Sequence, residues 1–293
     1  MNFQGRNVVV LGVADESSIA WAIARAFHAH GASVWIGYQQ KFFSRVRILL
    51  RQHPDIQAQR CDVTDEAEMR AFFERFQEAP IDVLVHAVAF APPALFTQPP
   101  SAATPEAFAL SQHVSALSLA SVVRHAKPHL REWASVMTLS FQASERAEPM
   151  YGMMGVAKAA LESLVRYLAL ELGASKVRVN AISPGPIETP AAMGILMAFL
   201  GERDALAALR NDVALAALDA ARRELGEDAD PVEYASAAWR HVQQAFVERS
   251  AIQEVVSAQD VADCALFLGS AYSKKITGQV VRVDCGLSSS MII

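Results

Sequence analysis

The sequence predicts a doubly wound α/β fold, a seven-stranded parallel sheet with helices on both faces. Three observations predict it. Short β-branched apolar runs alternate with helix-period segments along nearly the whole chain. Most runs are apolar at successive positions, as strands buried on both faces are. Most also end in small or turn-forming residues, and ligand sites in such sheets open at the carboxyl ends of the strands.

The 293 residues, 52% hydrophobic and 19% charged, suffice for a large core, and the expectation is one domain over 1–293. A net charge of −5 argues against nucleic acid as a partner. Cys61, Cys264 and Cys285 are scattered and odd in number, which fits a reducing, cytoplasmic setting rather than a disulfide framework or a zinc site. The eight histidines show no metal spacing, and no metal is expected. The longest stretch free of Asp, Glu, Lys and Arg, from Val83 to Pro105, holds five prolines, so no membrane helix is expected.

Asn7 to Gly12 reads as the first strand. Val13 to Ser18 is a small-residue turn, and a helix follows with Ile19, Ala22, Ile23, Ala26 and Phe27 on one face and Gly31 as its stop. A strand, such a turn and a helix N-terminus can cradle a phosphate through backbone N–H groups. Only Gly12 of the usual G-x-G-x-x-G is in place, so a plain turn capped by Ser17 is equally compatible. Ser33 to Gly37 is the second strand, followed by Gln39 and Gln40, with Lys41, Arg45 and Arg47 beyond as a basic cofactor contact or the wet face of the next helix. Ile56 to Cys61 is the third strand. Asp62 at its end can accept from an adenine amino group or cap the helix starting near Thr64.

Asp82 to Ala87 is the fourth strand, and a helix is expected over about 104–127, ending before Pro128. Ala134 to Ser140 is the fifth strand. A long helix then carries Tyr151 and Lys158 at its start, seven positions apart and so on one face, and runs to about Gly173. A phenol beside an ammonium can stabilise a developing oxyanion. Val177 to Ile182 is the sixth strand, Gln259 to Leu268 a helix, and Gln279 to Asp284 the seventh strand. The Ala- and Leu-rich segment 191–256 breaks the rhythm. It reads as two or three inserted helices, broken near 226–231, that form a lid or else an oligomer contact.

Four groups of residues carry a resemblance: Gly12 to Ala20, Val85 to Pro92, Tyr151 with Lys158, and Gly185 to Thr189. On these the chain resembles the short-chain dehydrogenase/reductase superfamily. Within it, the chain is similar to the divergent enoyl-acyl carrier protein reductases of bacterial fatty acid synthesis. Ordinary members share Tyr-x-x-x-Lys, whereas position 154 here is Met and six residues separate Tyr151 from Lys158, as in the enoyl reductases.

The resemblance implies a Rossmann-like, homotetrameric reductase of a trans-2-enoyl thioester carried on acyl carrier protein or CoA. It implies catalysis by Tyr151 and Lys158. Gly12, Ser18 and Ile19 are expected at the pyrophosphate, Gln39 at the adenosine ribose, and Asp62 and Val63 at adenine. Val88 and Lys158 are expected at the nicotinamide ribose, and Ile187 and Thr189 at the carboxamide. Ala91, Phe141 and Tyr151 are expected at the substrate. NADH is favoured because Gln39 and Gln40 carry no charge for a 2′-phosphate; Lys41 leaves NADPH open.

The chain departs from the family at Phe141, where bacterial members commonly have tyrosine. It departs also at Ala87-Val88-Ala89, where they have Ser-x-Gly, and at Asp284-Cys285-Gly286, and its insert is longer. A specialised acyl substrate is one consequence. A ketone or β-ketoacyl reductase, and a cofactor-binding protein without catalysis, are the rival readings.

Overall fold

A computed structural model describes residues 1–200, 203–209, 211–226 and 229–289. Seven parallel strands form one sheet in the order β3-β2-β1-β4-β5-β6-β7. They are β1 (Asn7–Leu11), β2 (Ser33–Tyr38), β3 (Gln57–Arg60), β4 (Ile81–His86), β5 (Leu130–Leu139), β6 (Arg178–Pro184) and β7 (Val280–Val283). The inner strands are apolar because both faces are covered: β4 and β6 are buried at every position. The edge strand β3 is half exposed and polar (Gln57, Gln59, Arg60), which is why it showed the weakest apolar run.

The helices are α1 (Ile19–Ala29), α2 (Phe43–Gln52), α3 (Glu66–Phe73), α4 (Ala94–Thr97), α5 (Pro105–Gln112), α6 (Ser118–Ala126), α7 (Met153–Gly173), α8 (Pro190–Ala198), α9 (Arg203–Ala208), α10 (Asp212–Leu225), α11 (Pro231–Arg249) and α12 (Ala258–Gly269). On one face of the sheet α1 and α12 bury Trp21, Ile23, Phe27, Val261 and Leu268. On the other, α3, α6 and α7 bury Phe72, Leu119, Leu161 and Val165. A third cluster forms where α8, α10 and α11 meet α4 and the start of α7. It contains Phe96, Met154, Leu196, Phe199, Leu218 and Trp239.

Several expectations change. The helix over 104–127 is not one α-helix: His113–Leu117 forms a wider π-type turn between α5 and α6. Such a turn releases backbone carbonyls, and the Ser118 hydroxyl donates to the Val114 carbonyl (2.7 Å). The insert holds four helices among the described residues rather than two or three, starting at Pro190. At the expected break over 226–231, Gly226 ends α10 with φ +86°, while Glu227 and Asp228 lie outside the described residues, as does Arg210 within the insert. The first helix is capped by Ser18, not Ser17: the Ser18 hydroxyl accepts from Trp21 N (3.3 Å). Asp65, not Asp62, caps α3.

Candidate active site

The strand order reverses between β1 and β4, and it is outside the strand ends at such a point that open α/β sheets form their ligand crevice. Gly12 makes the turn out of β1. Its φ is +98°, and a Cβ there would overlap the Ala87 carbonyl oxygen and press on Val88 Cγ2, so only glycine fits. The first turn of α1 carries no acidic residue. The helix N-terminus turns its positive end towards the turn of Gly12, Ser18 and Ile19, with Asp15 just outside it accepting from Ser17 N (3.1 Å) and paired with Arg45.

Farther along the strand ends, Gln39 Nε2 donates to Asp62 Oδ2 (3.0 Å), and Asp62 Oδ1 accepts from Thr64 N and Thr64 Oγ1. Burial pushes the Asp62 carboxyl up, but the Thr64 and Gln39 hydrogen bonds and the Lys41 charge outweigh it and hold it below its ordinary value. Val63 is buried in the core beside the sheet, so only its backbone is available to a ligand. Of the basic residues beyond Gln40, Lys41 lies over the rings of Phe42 and Phe90, Arg45 pairs with Asp15, and Arg47 lies over Phe43. On the other side of the crevice Ile187 is buried, and the Thr189 hydroxyl caps α8 by accepting from Ala192 N (3.1 Å) while keeping its own proton to donate.

These positions fit a dinucleotide: a glycine cradle, an anion-seeking helix N-terminus, and a fixed carboxylate with an amide at the far end.

Tyr151 departs from expectation. It is not a helical residue; it lies in the turn before α7, and Gly152 separates the two with φ +47°. A Cβ at Gly152 would overlap the Leu95 carbonyl oxygen. Tyr151 N donates to the Glu148 carbonyl (2.9 Å) and its own carbonyl accepts from Met154 N (3.0 Å). Its ring lies against Phe141, with centroids 4.7 Å apart and planes tilted by 39°, and edge-on to Phe96 at 6.3 Å. Burial raises the phenol above its ordinary value, so it is a protonated donor at neutral pH. Ala91 is buried in the same third cluster, of which Tyr151 is a partly buried neighbour.

Lys158 is 4% exposed, and its Nζ donates to the Leu139 carbonyl at the end of β5 (2.7 Å). Burial brings its ammonium down to about 8, against the opposing charge of Glu162. Glu162 escaped the sequence reading, as did its partners. Its Oε1 accepts from the hydroxyls of Ser140 and Ser144 (2.7 Å for Ser144). The available signal was its place one helical turn after Lys158, on the side of α7 that the apolar residues bury.

His86 sits beneath the crevice with no exposed surface, as a core residue should. Ser118 already donates to Val114, so His86 Nε2 donates to Ser118 Oγ (2.8 Å) and Nδ1 faces Thr138 Oγ1 (3.0 Å). Burial, with the Lys158 charge, pushes it down to about 3, and the imidazole is neutral. Among the described residues no group of three or more His, Cys, Asp or Glu could hold a metal, and no helix is long and apolar enough to cross a membrane.

Residues 12–231 and 230–288 match the family model described as enoyl-(acyl carrier protein) reductase. The chain is 43% identical to the NADH enoyl-acyl-carrier-protein reductase FabI of Enterococcus faecalis over 197 residues, 67% of this chain and 78% of that protein. It is 32% identical to the Bacillus subtilis enzyme of the same name over 294 residues, 98% of each chain. Among solved structures, the Anaplasma phagocytophilum enoyl-acyl-carrier-protein reductase in complex with NAD superposes with a TM-score of 0.79 at 29% identity. That match covers 99% of this chain and 96% of the other. The Bacillus cereus enzyme, crystallised with NADP+ and indole naphthyridinone, superposes with the same score at 32% identity over 99% of both chains. With its reversed strand order, its glycine cradle and its widened Tyr–Lys interval, this chain belongs to the enoyl-acyl carrier protein reductase family.

Proposed function

We propose that this chain reduces trans-2-enoyl thioesters, carried on acyl carrier protein or CoA, with NADH. The observation that carries the reading is that the Tyr151 ring lies against Phe141, just after β5, while a buried Lys158 holds the Leu139 carbonyl at the end of the same strand. NADH would supply hydride for the β-carbon of the enoyl group. Gly12, Ser18 and Ile19 would hold its pyrophosphate on the α1 N-terminus, and Gln39, Asp62 and the Val63 backbone its adenosine. Val88, Lys158, Ile187 and Thr189 would hold the nicotinamide half. Tyr151 donates a hydrogen bond to the thioester oxygen as negative charge grows there, and that bond is strongest in the transition state. Lys158 adds positive potential from the end of β5, with little water to screen it. Phe141 fixes the Tyr151 ring and, with Ala91 and Phe96, keeps the oxygen's surroundings apolar.

Three further points belong to this reading. Helices α8 to α11 close over the acyl chain as a lid, since their core is continuous with Phe96, Met154 and the Tyr151 ring. The protein is a homotetramer, for which the exposed Leu117 in the turn before α6 and the exposed Tyr167 and Leu170 of α7 are the support. It acts in the cytoplasm in fatty acid synthesis or a related acyl pathway, in keeping with its free cysteines.

The test is loss of cofactor absorbance with enoyl thioesters of graded length and branching, with NADH and NADPH in parallel and a β-ketoacyl thioester beside them. Oxidation with the enoyl series and not the ketoacyl compound supports the reading; the reverse refutes it.

A further inference from the structure

Two consecutive turns of α7 grip the last residue of β5 and the residue that follows it. Lys158 Nζ holds the carbonyl of Leu139. One turn later, Glu162 Oε1 holds the hydroxyl of Ser140 and, across the loop, that of Ser144. Between those serines lies Phe141, whose ring lies against Tyr151. Glu162 is 6% exposed, so its carboxylate is nearly as dry as the Lys158 ammonium, whose charge it favours from one helical turn away. Dry carboxylates are retained where they are hydrogen-bonded and face a cation. Glu162 has both: two hydroxyl donors on one oxygen and Lys158 four residues back.

We propose that Glu162 is a positioning residue of this active site, one that sustains the positive charge of Lys158 and anchors the Ser140–Ser144 arch that orients Phe141 and Tyr151. The proposal rests on the reductase reading for its meaning in catalysis, but its electrostatic half does not need a substrate. The groups that act on the Lys158 charge are Glu162, on its own helix, and His86 on β4, which is neutral. Tyr151 stays protonated. Other charged groups on elements packed against α7 are engaged or wet. Arg178 on β6 donates to the carbonyls of Leu268 and Ser273. Arg124 and His125 on α6 bond Glu66. Glu106 and His113 face solvent, as do Glu145 and Arg146 in the loop after β5, and Glu148 there is half buried beside Gln142.

Burial alone drives Lys158 towards neutrality, and it is the Glu162 charge that works against this. A glutamine keeps the shape of Glu162 and can still accept from both serines, but it removes the charge. The experiment is a pH titration of lysines carrying a 13C label at Cε, followed by NMR on the full chain. The resonance absent from the Lys158→Arg variant identifies Lys158. Wild type should titrate near pH 8, and Glu162→Gln at least about one pH unit lower, a roughly 10-fold change in proton affinity.

NADH affinity, read by fluorescence, should fall over the same pH interval in each protein, and turnover in Glu162→Gln should recover on acidification. A shape-only role would lower turnover at every pH and leave the midpoint in place; an unmoved Lys158 midpoint overturns the proposal. If the glutamine variant does not fold, Glu162→Asp takes its place. It draws the carboxylate away from Lys158, so a smaller shift in the same direction is expected, and no shift again overturns it. The NMR midpoint needs neither cofactor nor substrate. Failure to reduce enoyl thioesters would therefore refute the reductase reading while leaving the Glu162–Lys158 coupling to be judged on its own.

Discussion

His86 makes the fold sensitive to acid, by an amount the structure allows to be estimated. Free histidine titrates near 6.5, and in the native protein the buried ring is held down to about 3. Between those values the unfolded chain binds a proton that the native state refuses. Stability contributed by the neutral ring is therefore whole above pH 6.5 and is lost as pH falls towards 3. At about 1.4 kcal/mol per pH unit, roughly 2 kcal/mol is gone by pH 5 and roughly 3 by pH 4. Total stabilities of domains are about 5–15 kcal/mol, so the loss is readable. The perturbation is His86→Asn, which keeps a polar side chain but cannot titrate. Urea unfolding of both proteins, at fixed protein concentration, at pH 8, 6 and 5 gives the comparison. The variant should start less stable, having lost the bonds to Thr138 and Ser118, yet lose about 2 kcal/mol less between pH 8 and 5. Every other ionisable group is common to both proteins, so its contribution cancels in the comparison. Parallel pH profiles would show that His86 is not held neutral and would refute the reasoning.

Other expected outcomes follow from single atoms. Tyr151→Phe should lower enoyl thioester turnover by on the order of 100-fold or more while leaving NADH affinity and thermal unfolding nearly unchanged, measured by steady-state kinetics and a melt. Gly152→Ala should cost about 2 kcal/mol or more, because a β-carbon overlaps the Leu95 carbonyl at a backbone angle that alanine resists; a melting temperature equal to wild type would count against the geometry of the Tyr151 turn. Gly12→Ala should weaken NADH binding by roughly 10-fold or more, seen by fluorescence titration, since the Ala87 carbonyl must move to admit the methyl group. Phe141→Ala should lower kcat more than it raises KM, because it frees the Tyr151 ring without removing the donor, and the reverse pattern would make Phe141 a binding residue only.

Much of this was legible in the sequence because it was written in apolar runs. Val8 to Leu11 and Val83 to Val85 could be little but buried strands, and once the strands are parallel the turns at their ends must converge. That placement puts the turn after Gly12 and the turn at Ser183 to Thr189 at the same edge of the sheet, while the cofactor roles expected of Ile187 and Thr189 rested on the family resemblance. What was missed depended on contacts between distant residues. Gly152 looks like a tolerated helix glycine until Leu95 leaves its carbonyl no room for a β-carbon. The wide turn at His113–Leu117 goes with Ser118, bonded by His86 and donating to the Val114 carbonyl, and with Ser115 bonding the Phe90 backbone from 25 residues away. Glu162 reads as a wet acid in a Leu- and Ala-rich helix, and only the fold of Ser140 and Ser144 over it shows otherwise. The insert was recognised by its lack of strands, but the number of its helices depends on short turns that composition does not mark.

The separate hydrophobic cluster under α8, α10 and α11 has a consequence for motion. Its buried members are distinct from those of the two clusters that sandwich the sheet, and it joins the rest through α4 and the first turns of α7. A unit with its own core can open without melting its neighbour. Amide hydrogens in these helices should then exchange with solvent through a local excursion, while those of β1, β4 and β6 wait for global unfolding. The protein would breathe at the end where the proposed reading puts the acyl chain, and stay shut where it puts the dinucleotide.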